Sequence, residues 1–251
     1  MEEPFDKRAR ARELADRFAE GGDPTGWFEE LYREAAGDNE KIPWADLVPN
    51  RFFKAWAEKS GLRGEGRRAL VVGCGLGDDA VYLDDLGFDV TGFDISPTAI
   101  EWACRIHADR DIEFAVADLF DPPVEWTVAE SPPADAGGTD KNPVATARGT
   151  DCGFDFVLEV YTIQPLPIEM RERVMDSIAA FVAPGGELVV VTRGREDDEE
   201  VVKVPWPVSR KELSRFKENG LVRTHFEVMP EDTDDEPADR YVVVYRRDPT
   251  V

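Results

Sequence analysis

Ala69-Leu70-Val71-Val72-Gly73-Cys74-Gly75-Leu76-Gly77-Asp78-Asp79 is the stretch that decides the fold of this chain. Four apolar residues run without interruption into three alternate glycines. Strands of a parallel sheet are covered on both faces, so they read as continuous apolar runs. Glycine after such a strand supports a tight turn at positive φ and admits a ligand where a Cβ would stand. The following segment predicts a helix, whose first N–H groups lack intrahelical partners and point back at that ligand. Strand, glycine turn and helix together predict a nucleotide or nucleoside site.

A second apolar run, Phe88-Asp89-Val90-Thr91-Gly92-Phe93, ends in Asp94. In doubly wound sheets an acidic residue roughly 20 positions beyond the glycine turn closes the second strand and bonds ribose hydroxyls. A carboxylate accepts from both hydroxyls at once. The glycine spacing then separates ligands. A dinucleotide fingerprint needs G-x-G-x-x-G/A. Here Asp78 stands at the last small position and Asp79 follows it. Both suit a helix N-terminus, but both repel a pyrophosphate. A nucleoside ligand without phosphates fits better.

With these residues the chain resembles the class I S-adenosylmethionine-dependent methyltransferases. The resemblance rests on Val71-Val72-Gly73-Cys74-Gly75-Leu76-Gly77, then Gly92-Phe93-Asp94-Ile95-Ser96, then Ala117-Asp118-Leu119-Phe120. It continues through Phe154-Asp155-Phe156-Val157-Leu158 and the turn Ala183-Pro184-Gly185-Gly186-Glu187. Within the class, Asp94 to Ile100 and the upstream Ile42-Pro43-Trp44 are similar to the thiopurine S-methyltransferase-like group. The resemblance implies S-adenosylmethionine as cofactor and transfer of its methyl to a small-molecule nucleophile, with sulfur or a similar soft atom as acceptor. It also implies that Asp118 bonds the adenine amino group while Leu119 packs on the ring. Two other classes stay open at this stage: an NAD-dependent oxidoreductase, and a non-catalytic protein that keeps S-adenosylmethionine binding.

The chain has 251 residues, 53 acidic and 30 basic, for a formal net charge of −23. Such a surface repels phosphates and disfavours a nucleic-acid partner. Arginine outnumbers lysine. Acid-rich surfaces suit concentrated salt, which screens their self-repulsion, so the charge predicts a high-salt cytosol. No apolar run approaches the roughly 20 residues of a membrane span, and Met1-Glu2-Glu3-Pro4 has no signal-peptide character. The expectation is a cytoplasmic monomer without membrane contact. Cys74, Cys104 and Cys152 form no C-x-x-C pair, so neither a zinc site nor a redox motif is implied.

Residues 1–66 predict a helical appendage covering the cofactor site, and residues 67–251 the methyltransferase domain. The expected architecture is an α/β, doubly wound, mainly parallel seven-stranded sheet, Rossmann-like, with an antiparallel strand near its edge. Strands are predicted at 68–72, 88–93, 112–116, 154–160, 186–193, 222–229 and 240–247. Domain helices are predicted at 78–86, 97–108, 168–181 and 209–219. Alternating strands and helices give right-handed parallel crossovers, and the short link after residue 229 turns the last pair antiparallel. Residues 121–153, rich in Pro, Gly and small polar side chains, read as a flexible insertion or a substrate-side lid, the insertion favoured, with Trp126 anchoring its start. Residues 231–236 read as a solvated acidic turn.

The predicted cofactor contacts are Gly73, Cys74, Gly75, Gly77, Asp79, Asp94, Ile95, Asp118, Leu119, Glu159 and Trp27. Cys74 also reads simply as a small residue packed in the turn. Glu159 ends the predicted fourth strand, where the sheet of this fold faces cofactor and substrate. Trp27, Phe28 and Trp44 bring aromatic faces that attract a cation such as a sulfonium. Phe120-Asp121-Pro122-Pro123 resembles the D-P-P-aromatic signature of nucleic-acid amino-methyltransferases. Val124 lacks the stacking ring, and the motif precedes the fourth strand instead of following it, so it reads as a proline-ended loop. His107 and His225 lie outside any credible triad, no metal site is implied, and no catalytic residue is assigned.

Overall fold

The computed structural model describes residues 5–128, 152–199, 201, 204–231 and 238–250. Most of the 121–153 insertion and nearly all of the 231–236 turn lie outside the described residues. The strands are β1 (Arg68–Val72), β2 (Asp89–Asp94), β3 (Ile112–Val116), β4 (Phe154–Val160), β5 (Val182–Arg195), β6 (Val208–Ser209), β7 (Leu221–Glu231) and β8 (Ala238–Arg247). They form one sheet in the order β3-β2-β1-β4-β5-β8-β7, with β6 paired to β5. Strands β1 to β5 are parallel, while β8 runs antiparallel to both β5 and β7. The reversed strand is therefore second from the edge.

Both faces of the central strands are buried, which is why they read as unbroken apolar runs. Leu70, Val72, Val157, Leu188, Val190 and Val243 face one side and pack with Val174, Met175 and Ile178 of α6 (Arg171–Ala180). Ala69, Val71, Phe156, Leu158, Val189 and Val242 face the other, against α3 (Arg51–Ser60) and α4 (Asp78–Asp85). Two helices precede these, α1 (Lys7–Glu20) and α2 (Gly26–Ala35). They share a third cluster with Ala99 and Trp102 of α5 (Pro97–Ile106). Glu29 of α2 ties the appendage to the domain: it accepts Ser96 Oγ at 2.7 Å, and Thr98 N and Oγ1 at 3.1 and 2.7 Å.

The structure departs from the seven-strand expectation in one region. Val208–Ser209 pairs with Gly194–Arg195 as an eighth strand. The predicted 209–219 helix is two short helices, α7 (Arg210–Leu213) and α8 (Arg215–Glu218). Ser209 caps α7 in a reciprocal box with Glu212, so β6 ends where its own hydroxyl opens the helix. The predicted 168–181 helix begins as a 3₁₀ turn, Ile168–Met170, before α6. Trp126 is buried at 7% exposure, its ring 5.5 Å from Phe93 and 6.2 Å from Phe154. The start of the insertion is thus fixed in the core.

Candidate active site

Gly73, Gly75 and Gly77 all have positive φ, at 60°, 54° and 89°. A Cβ at Gly73 would stand 2.6 Å from Thr162 Oγ1, and one at Gly75 would stand 3.0 Å from Tyr32 Oη. At both, glycine is required by backbone conformation and by a neighbour from another element. Beyond the turn lies a cavity of about 460 Å³, within the range of small-molecule and cofactor sites.

The cavity gathers most of the predicted contacts. Gly73, Cys74, Gly75, Asp79, Asp94, Ile95, Asp118, Leu119 and Trp27 all line it. Asp94, only 8% exposed, anchors the arrangement. Its Oδ2 accepts the Gly75 N–H at 3.0 Å, and its Oδ1 accepts the Ser96 N–H at 2.9 Å. Burial pushes its carboxyl pKa up, and these backbone N–H bonds oppose that. Each oxygen keeps a lone pair for another donor. Asp118 accepts the Phe120 N–H at 2.9 Å, which fixes the turn after β3.

Two of the predicted contacts lie off the cavity wall. Gly77 is not on the cavity wall: it precedes α4, and a Cβ there would lie 2.7 Å from Phe114 and 3.3 Å from His107. It serves the helix start and its packing. Glu159 is fully buried and off the cavity wall. Its register partners are Val72 and Val190, so it points into the apolar face shared with α6. Glu159 Oε1 accepts Thr162 N at 2.6 Å and Ile163 N at 3.0 Å, holding the turn after β4. Burial raises its pKa to about 8. His107 is structural, with Nε2 2.9 Å from Leu76 O.

At the start of α4, burial raises Asp78 to about 6 and Asp79 to about 7. Asp79 Oδ1 accepts the Asn50 N–H at 2.7 Å. Carboxylates this costly to ionise gain from a cationic ligand and lose from a phosphate. Aromatic rings of the appendage close the same space. Trp27 stacks on Phe28 at 4.1 Å, Trp44 meets Trp27 edge-on at 5.9 Å, and Trp44 Nε1 donates to Tyr32 Oη at 2.8 Å. Motif reading passed over Tyr32, Thr162, Arg51, Arg193 and Arg240, all on this wall. Position is the signal that could have found Arg193 and Arg240. The first nears the end of parallel β5 and the second the start of reversed β8, and both ends meet the site edge of the sheet.

The carboxylates on the cavity wall suit a ligand with cationic groups better than a phosphorylated one. A family model described as a methyltransferase domain matches residues 27–234. The chain belongs to that family and is a class I S-adenosylmethionine-dependent methyltransferase, not a nicotinamide enzyme. It is 26% identical over 188 residues to the 2-heptyl-1-hydroxyquinolin-4(1H)-one methyltransferase of Mycobacteroides abscessus, covering 74% of this chain and 72% of the relative. It shares its fold with a solved structure described for conversion of a disulfide bond into a thioacetal group during echinomycin biosynthesis. That match has a TM-score of 0.63 and 23% identity, covering 90% of this chain and 94% of the other. The N-methyltransferase NodS of Bradyrhizobium japonicum WM9, solved with S-adenosyl-L-homocysteine, superposes with a TM-score of 0.57 at 19% identity, covering 87% of this chain and 96% of NodS.

Proposed function

We propose that this enzyme methylates a hydroxyl or thiol of a small, planar, largely apolar molecule. The supporting observation is the aromatic cover formed by Trp27, Phe28, Tyr32, Trp44 and Phe52 over a cavity that continues past the glycine turn to Tyr161, Gln164 and Leu166. A flat ring gains area and stacking against such a wall. The hydroxyquinolone named for the Mycobacteroides abscessus relative belongs to this class, and the thiopurine-like sequence phrase supports sulfur as the other nucleophile.

Asp94 would hold the ribose, and Gly73, Gly75 and Ile95 its neighbourhood. Asp118 and Leu119 would meet the adenine, and Asp78 and Asp79 the ammonium end. When bound, S-adenosylmethionine supplies a methyl already activated by a positive sulfur. The chain's own task is to position the nucleophile in line with it and to exclude water, which supplies most of the rate in such displacements. The Tyr161–Thr162 turn, fixed from below by Glu159 and from the side by Val72 O at 3.0 Å, forms part of that positioning surface.

We read the charge of −23 as adaptation to a concentrated-salt cytosol. Among the described residues no helix is long and apolar enough to cross a membrane. A panel of thiol, hydroxyl, amine and halide acceptors with methyl-labelled cofactor in molar KCl tests the proposal. Transfer to planar hydroxyls or thiols is expected. Transfer only to amines or halides contradicts it.

A further inference from the structure

Beyond the glycine turn the cavity wall includes Pro165, Leu166, Val204 and Pro205. Gln164 lines the cavity beside them, only 6% exposed, in the segment that follows β4. A primary amide brings one acceptor oxygen and two N–H donors. Taking such a group out of water costs free energy unless its polar atoms find partners.

The oxygen of this amide is engaged. Gln164 Oε1 accepts the backbone N–H of Arg193 at 2.9 Å and the Thr192 hydroxyl at 3.3 Å, both on β5. A backbone N–H only donates, so the amide atom that faces it is the oxygen, and this bond sets which way the amide lies. The main chain is held as well, since Gln164 O accepts the Trp206 N–H at 2.9 Å. With its oxygen turned to β5, the planar group turns its other arm, Nε2, away from that strand. Nε2 donates to no group among the described residues. It is not sealed in protein either, and the cavity is the space the residue lines. Two uncharged N–H donors are therefore held ready at the cavity wall.

We infer that Gln164 Nε2 reads an in-plane lone pair of the methyl acceptor, carried by a ring carbonyl oxygen or an unprotonated ring nitrogen, and so determines which planar molecules the enzyme takes. This rests on the methyl-transfer reading above. The bond falls on an atom other than the nucleophile, because a donor there would draw off electron density that attack on the methyl needs. The substrate is thus a flat ring system with two polar marks, the reacting hydroxyl or thiol and a separate acceptor atom. A ring without that second atom leaves buried donors unpartnered, and this penalty is what makes such a site selective. Donors already fixed by β5 lose little freedom when the ring binds, which favours the matching ring further.

Calorimetry on the full chain loaded with S-adenosyl-L-homocysteine, in molar KCl, reads acceptor binding without turnover. The probes are the 5-, 6- and 7-hydroxy isomers of chromone and of quinoline, which move a carbonyl or a ring nitrogen around the reacting hydroxyl. The references are 1-naphthol and 2-naphthol, which have neither. For at least one isomer, the ratio of its affinity to that of the naphthols should fall at least fivefold in Gln164→Met, with S-adenosyl-L-homocysteine affinity unchanged. A role for Gln164 confined to holding β5 would weaken both kinds of probe alike and leave the ratio as it is. Should that variant not fold, the wild type answers by NMR. The Gln164 side-chain amide protons should shift downfield with that isomer, as a new hydrogen bond requires, and not with the naphthols. A ratio unchanged for every isomer in a folded variant, or amide protons that respond to none of them, overturns the inference. Failure to bind S-adenosyl-L-homocysteine overturns the methyl-transfer reading instead.

Discussion

Asp94 Oδ2 accepts the backbone N–H of Gly75 at 3.0 Å while the same carboxylate lines the cavity. One side chain thus shapes the glycine turn and faces the cavity. Its other oxygen, bonded to Ser96 N, fixes the start of α5.

On the proposed placement, Asp94→Ala removes bonds to the ribose hydroxyls, each worth about 1.5–3 kcal/mol to a charged partner. It also releases Gly75. Affinity for S-adenosyl-L-homocysteine should fall at least tenfold by calorimetry, with circular dichroism showing a folded protein. A folded variant of unchanged affinity would remove Asp94 from the site.

Gly75→Ala places a Cβ 3.0 Å from Tyr32 Oη at a positive φ. The backbone cost of such a residue is about 1–2 kcal/mol. The variant should lose thermal stability and bind cofactor more weakly, since ring and turn must both move. Wild-type behaviour in both measurements would contradict the close packing of appendage on turn.

Asp78 and Asp79 have pKa values raised to about 6 and about 7 by burial. Below pH 6 both are largely protonated and present no charge to a ligand's ammonium. Product-analogue affinity should therefore rise between pH 5 and pH 8, and Asp79→Asn should flatten that rise. A flat wild-type profile would separate these carboxylates from ligand binding.

Glu159 gives the opposite dependence in stability. Its folded pKa, about 8, lies above the unfolded value of about 4.3, so the folded state binds the proton more tightly. Stability is then fully present below about pH 4 and declines as pH rises to about 8. The span corresponds to a few kcal/mol, at about 1.4 per unit. Glu159→Gln keeps an acceptor for Thr162 and Ile163. It should match or exceed the wild type at pH 9 in urea melts and narrow the difference at pH 6. A pH-independent difference between the two would contradict a buried ionisable Glu159.

Much of this was legible in the sequence for one physical reason. Strands β1, β2, β4 and β5 are buried on both faces, so their residues had to be apolar in sequence as well as in space. Asp94 followed from its distance to the glycine turn. What the sequence left open is what only the third dimension decides. Glu159 ends the expected strand, but strand alternation turns it to the α6 face with Val72 and Val190, while the left-handed Tyr161 two residues on lines the cavity. Gly77 shares the spacing of Gly73 and Gly75, yet it packs toward Phe114 and lies off the cavity wall. Val208–Ser209 is too short for any periodicity to show. Arg193 and Arg240 lie 47 residues apart in sequence and become neighbours only through the reversed strand.

With formal charge −23, self-repulsion should destabilise the fold in dilute buffer, and added salt should screen it. The thermal midpoint is expected to climb steeply from low to molar KCl. A flat response would argue against adaptation to salt.

The central claim is that this cavity holds S-adenosylmethionine through the glycine turn and Asp94. Isothermal calorimetry in molar KCl, titrating S-adenosylmethionine, S-adenosyl-L-homocysteine and NAD in turn, tests it most directly. The account predicts one-to-one binding of the first two and no heat from the third. Binding of NAD with no response to either sulfur nucleoside would contradict it.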